Sequence, residues 1–176
     1  MRYCNLVVYD ADDTGRIERQ MIDAAKLHEI ELKLSWCASE KDVREALQQK
    51  SDLTLILAHG SRNSARLSRG PGPLMSLTWA DVLRGITVDT RALVTLICGQ
   101  NMRSHWRDAL RVGTTLATTN WKLENGGIVP AANSLFRHKD LSAEGVASAF
   151  NAVHTDGPTE VARRTLRPSN WTISSL

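Results

Sequence analysis

The stretch Leu53–Ser61, LTLILAHGS, decides how the chain is read. From Leu53 to Leu57 every residue is apolar or β-branched, a composition suited to a strand buried on both faces. The run stops at Ala58-His59-Gly60-Ser61, so a titratable imidazole and a glycine stand where the strand ends. A strand buried on both faces belongs to a parallel sheet covered by helices. Its flanks should therefore alternate between helix and strand.

They do. NLVVYD (5–10) reads as a strand ending in acid. GRIERQMIDAAKLHEI (15–30) carries Ile17, Met21, Ile22, Ala25 and Ile30 near helical spacing, and ELKLSWC (31–37) alternates like a second strand. SEKDVREALQQK (39–50) opens with Ser39 three residues before Asp42, an N-cap signature. After the strand 53–58, residues 61–77 are rich in Ser, Arg, Gly and Pro and read as an excursion loop without regular structure. LTWADVLRG (77–85) predicts a short helix from Thr78 to Gly85, RALVTLIC (91–98) a buried strand, and MRSHWRDALRVG (102–113) a helix closed by Gly113. TTLATTNW (114–121) alternates as a strand, 123–138 reads as a loop and a helix, and 142–154 as another helix. Residues 155–176 carry Pro158 and Pro168 and few periodic apolar positions; they read as an irregular extension or a short added strand. The fold class expected is α/β, one domain over 1–176, with a central mostly parallel sheet flanked by helices in three layers.

The 176 residues, 42% hydrophobic and 23% charged, suit one globular core. A net charge of +3 does not call for nucleic acid, and the arginines Arg62, Arg66 and Arg69 read as a solvated loop. No stretch approaches the roughly 20 apolar residues of a membrane span, and the N-terminus lacks a signal-peptide core. Three cysteines, Cys4, Cys37 and Cys98, without a CxxC pair fit a reducing cytosol, so a cytoplasmic location is expected. His28, His105, His138 and His154 lack metal-ligand spacing, so neither metal nor other cofactor is expected. The five tryptophans read as packing residues.

In open α/β sheets, chemistry collects at the carboxyl ends of the strands. Three such ends carry reactive groups: Asp10, His59 and Cys98. A thiol is a nucleophile only as thiolate, and an adjacent imidazole can take its proton or pair with the thiolate. Glycines after His59 and Cys98 would let backbone N–H groups approach a developing oxyanion. Against this stand two plain readings: a packed, inert cysteine and a histidine that only shapes a turn.

The pattern LILAHGS…LTWADVLRGITVDTRALVTLICGQN…ALRVGTTLATTNW resembles caspase-like cysteine peptidases, in particular the bacterial CHAT branch. The resemblance covers roughly residues 50–121. It implies the caspase-like form of the three-layer fold, a bacterial source and hydrolysis of a protein or peptide substrate. It implies Cys98 as nucleophile, His59 as catalytic base or acid, and the N–H groups of Gly60 and Cys98 as oxyanion hole. The residues around Cys98 depart from the family's common SAC pattern, and Leu96 stands where metacaspase-type relatives place an acid. A catalytically silent, partner-binding module, or a subunit activated by a regulatory partner, is therefore the alternative.

The acids of VVYDADDTG admit two further readings. Asp10-Ala11-Asp12-Asp13-Thr14 matches the D-x-D-x-T motif of Mg²⁺-dependent phosphohydrolases, but no second acidic pair appears at a strand end. Alternatively Asp10 or Asp12 lines a substrate pocket for a basic residue before the scissile bond, as in several caspase-like families. The plain reading is favourable interaction with the N-terminus of the following helix.

Overall fold

The computed structural model of the chain describes residues 1–9, 15–61, 64–67, 75–97, 103–119, 121 and 123–176. The main sheet is built from β1 (Tyr3–Tyr9), β2 (Glu31–Cys37), β3 (Ser51–Ser61), β6 (Thr90–Leu96), β7 (Thr115–Thr119) and β8 (Trp171–Ser175), in the order β2-β1-β3-β6-β7-β8. Every neighbouring pair is parallel except β7 and β8. The α/β class and the mostly parallel sheet thus agree with the alternation in the sequence.

Helices α1 (Gly15–Leu27), α5 (Asn125–His138), α6 (Ala143–Asp156) and α7 (Glu160–Thr165) cover one face; α2 (Glu40–Leu47), α3 (Trp79–Leu83) and α4 (Arg103–Arg107) cover the other. Alternate strand residues feed two separate cores. Leu6, Val8, Leu53, Leu55, Leu57, Val94 and Leu96 join the α1–α5–α6 side. Val7, Tyr9, Ile56, Ala58, Leu93 and Ile97 join the α2–α3–α4 side. A sheet loaded on both faces needs continuous apolar runs, which is why LTLIL and LVTLI look as they do.

The sequence signals for helix starts hold. The Ser39 hydroxyl accepts from Asp42 N at 3.2 Å, and the Asp42 carboxylate accepts from Ala38 N at 3.0 Å. Thr78 caps α3, and Gly85 takes φ +68° just beyond it. Arg44 then holds the end of α3, its guanidinium donating to the carbonyls of Asp81, Val82 and Arg84, each at 2.9 Å. Asn5, fully buried in β1, donates from Nδ2 to Ala46 O at 2.7 Å and accepts from the Ser35 hydroxyl at 3.3 Å.

Three expectations are corrected. The excursion 61–77 is not without regular structure: β4 (Ser64–Leu67) pairs antiparallel with β3, and β5 (Met75–Thr78) pairs with β4. Gly and Pro were read as breakers, but in the described residues the chain alternates well enough to form a ladder on either side of them. The helix expected over 102–113 is only α4; Val88 N donates to Ala109 O at 2.8 Å, and a Val88–Leu110 bridge draws the chain off the helix. Gly113, at φ +88°, then turns the chain toward β7. Over 155–176 the short added strand is present as β8, while the irregular reading gives way to the end of α6, then α7 and a 3-10 turn (Pro168–Asn170). Among the described residues no helix is long and apolar enough to cross a membrane.

Candidate active site

The parallel pairing of β3 with β6 is in register from Ser51–Thr90 to Leu57–Leu96. Two residues beyond Leu57 stands His59; two beyond Leu96 stands Cys98. β1 keeps pace on the other side of β3, with Tyr9 opposite Ala58 and Asp10 next in sequence. The three strands therefore run to one common carboxyl edge, held there by two apolar cores.

His59 is not at a turn. β3 continues past the end of its pairing with β6, and its backbone forms ladder pairs His59–Arg66, Gly60–Ala65 and Ser61–Ser64 with β4. Contacts between β1 and β4 put that hairpin on the β1 side of the extension. Gly60, expected in the oxyanion hole, lies in the same ladder. Cys98, Asp10 and Asp12 lie outside the described residues.

The described residues on either side of 98–102 are anchored in one core. Ile97 is fully buried with the α2–α3–α4 core. Downstream, Trp106 of α4 packs on Trp79 of α3, ring centroids 5.2 Å apart and planes tilted by 43°, both fully buried. Neither indole N–H meets an acceptor among the described residues.

The other two thiols are poor nucleophiles. Burial pushes the Cys4 thiol far above its ordinary range. Burial, reinforced by the Asp42 charge, pushes Cys37 up to about 12. Burial thus disfavours the thiolate at both positions.

Two side chains on this edge were missed by reading all tryptophans as packing residues. Trp36, near the carboxyl end of β2, is 44% exposed, and Trp121, just past β7, is 53% exposed. Trp79, Trp106 and Trp171 are buried as expected. Trp121 N donates to the Thr119 hydroxyl at 3.1 Å, and that hydroxyl donates to Asn170 O at 2.8 Å, fixing the chain as it leaves β7. The available signal was an indole placed directly after a strand. Glu18 in the first turn of α1 is a second surprise: it is buried, and its Oε1 has no hydrogen-bond partner among the described residues.

A cleft of about 770 Å³ opens at the opposite edge, among the amino ends of β3, β6 and β7. Two ion pairs lie in its lining, Arg91 with Asp52 at 3.8 Å and Arg111 with Asp89 at 3.3 Å. Among the described residues no group of three or more His, Cys, Asp or Glu side chains could hold a metal ion. No family model matches the chain, and no curated protein matches it.

Proposed function

We propose that the chain is a caspase-like cysteine endopeptidase acting through Cys98 and His59. The observation that supports this reading is the in-register parallel pairing of β3 and β6, which brings Leu57 and Leu96 side by side at one sheet edge, with His59 and Cys98 each two residues further along the sequence. The strand order, with three helices on one face, four on the other and a final antiparallel strand, is compatible with the caspase-like form of the α/β fold.

In this mechanism the Cys98 thiolate attacks the scissile carbonyl carbon, and the carbonyl electron pair moves to oxygen. The N–H groups of Gly60 and Cys98 receive that oxyanion. Collapse expels the amine, which takes a proton from the His59 imidazolium, and an acyl-enzyme remains. Water, deprotonated by His59, attacks the thioester and releases the acid and the free thiol. Asp10 or Asp12 receives a basic side chain before the cut. The setting we infer is the cytoplasm of a bacterium.

The test is hydrolysis of a peptide library by wild type, Cys98→Ala and His59→Ala. Each variant should lose about 10³-fold or more in kcat/KM, as removal of a nucleophile or its base does elsewhere. Wild-type cleavage unaffected by Cys98→Ala would defeat the proposal. A library result with no preference for Arg or Lys before the cut would remove Asp10 and Asp12 from the substrate pocket.

A further inference from the structure

The main sheet ends at β2 on the side away from β8, and among the described residues no strand lies beyond it. One bond fixes the direction of its backbone groups: Glu31 N donates to Arg2 O at 2.8 Å, so Glu31 faces β1. In an extended strand the N–H and C=O of one residue point to the same side, and successive residues alternate. Leu32 and Leu34 therefore point theirs outward. Among the described residues neither makes a backbone bond outside the ladder with β1. An outer rim of this kind is a template for another strand.

The side chains sort by the same alternation. Leu32 and Leu34 lie half-buried against the α1 side of the sheet, and Trp36 continues that file at 44% exposed. Lys33 and Ser35 take the other face with Cys37, which packs into the α2 side. There the Ser35 hydroxyl donates to Asn5 Oδ1. Edge strands are commonly guarded by a charge, a proline or a bulge. β2 has no proline, and its one mid-strand charge, Lys33, stands off the apolar file.

We propose that the outer edge of β2 pairs antiparallel with β2 of a second copy of this chain, about a dyad at Leu34. Leu34 is the middle residue of Glu31–Cys37, so this dyad overlaps the whole strand with its copy. It sets Leu34 opposite Leu34 of the partner subunit and Leu32 opposite Trp36 of the partner subunit. The apolar files then run on across the junction. Outward-facing residues placed opposite each other exchange two N–H···O=C bonds, as the Leu34 pair does here. A dyad at Lys33 would set two ammonium groups directly opposite, where they repel. A dyad at Ser35 would carry Glu31 and Leu32 past the end of the partner strand at Cys37. Because the joined strands are antiparallel, the carboxyl edges of the two copies point in opposite directions. This interface does not depend on the peptidase reading.

Sedimentation velocity of the full chain, diluted from roughly 100 to 1 μM, should show a monomer–dimer equilibrium. Leu34→Lys puts two ammonium groups on the dyad and should raise the dissociation constant about tenfold or more. A crosslink separates this effect from any loss of folding. Residues in a hydrogen-bonded antiparallel pair sit about 5.5 Å apart at Cα, inside the roughly 4.4–6.8 Å that a disulfide spans. In a Cys98→Ser background, Leu34→Cys should form a disulfide between copies under mild oxidation. Val112→Cys, exposed beside β7 and remote from this edge, should not. A chain that stays monomeric throughout the series overturns the proposal. So does a dimer that ignores Leu34→Lys and does not crosslink through Leu34→Cys, since it uses another surface. A monomer that takes up an added extended peptide here, seen as slowed exchange of the Leu34 amide, overturns it too and makes the edge a site for a foreign strand.

Discussion

Arg44 ties two helices through three carbonyls at the end of α3. Arg44→Ala should lower stability by about 2 kcal/mol in urea denaturation, the usual range for hydrogen bonds to a charged donor. Arg44→Lys should recover only part of it, since an ammonium cannot span three acceptors as a planar fork does. Thiol accessibility separates the cysteines in the same way. With Cys4 and Cys37 buried and held protonated, native protein treated with iodoacetamide at pH 7.5 (roughly one unit below a free thiol) should label at Cys98 alone. Cys98→Ala should abolish the fast phase, and mass spectrometry of the labelled peptides checks it. At this scale the sequence was informative about types and poor about surroundings. Ser39, Thr78 and Gly85 announce their roles through local backbone chemistry. Glu18 and Trp36 do not, because burial is decided by elements distant in the chain.

Elements meet closely where glycine allows it. A Cβ on Gly127 of α5 would come within 2.6 Å of Thr165 Cβ and Cγ2 in α7, and Thr165 is buried. A β-branched neighbour cannot swing aside, so Gly127→Ala should cost about 1–3 kcal/mol by overpacking, measured as a lower thermal midpoint. The Trp79–Trp106 pair joins α3 to α4 on the opposite face. Trp106→Ala should cost about 3–5 kcal/mol, while Trp106→Phe should retain most of the contact and most of the stability. Most elements were legible in the alternation of apolar runs. The errors fell where tertiary pairing overrode local preference: β4 and β5 exist because β3 offers a ladder, and α4 stops early because Val88 claims the Ala109 carbonyl.

For the whole molecule, the amino edge of the sheet sets an acid limit. Burial raises the Asp52 carboxyl, but bonds from Arg2 N at 2.7 Å and Tyr3 N at 3.1 Å, with the charges of the N-terminus and Arg91, outweigh it and hold its pKa below the ordinary value. A carboxyl depressed by folding stabilises above its unfolded pKa of about 3.9 and loses that contribution as pH falls through the folded value. Asp52→Asn should therefore be less stable than wild type at neutral pH. In a series of denaturation curves the gap should begin to narrow below about pH 4 and close only below the folded value, where both side chains are neutral. The architecture was legible because a sheet covered on both faces writes continuous apolar strands into the sequence. The edge that carries the candidate site was less so, since strand order and register bring together β3 and β6, which a long excursion separates in sequence. One consequence concerns mechanics. β3 is clamped on both sides up to Leu57, keeps β1 beside it at Ala58, and then projects through His59 to Ser61 with β4 as its ladder partner among the described residues. It behaves as a cantilever rather than a hinged flap: displacing the tip means bending a beam rooted in the centre of the molecule.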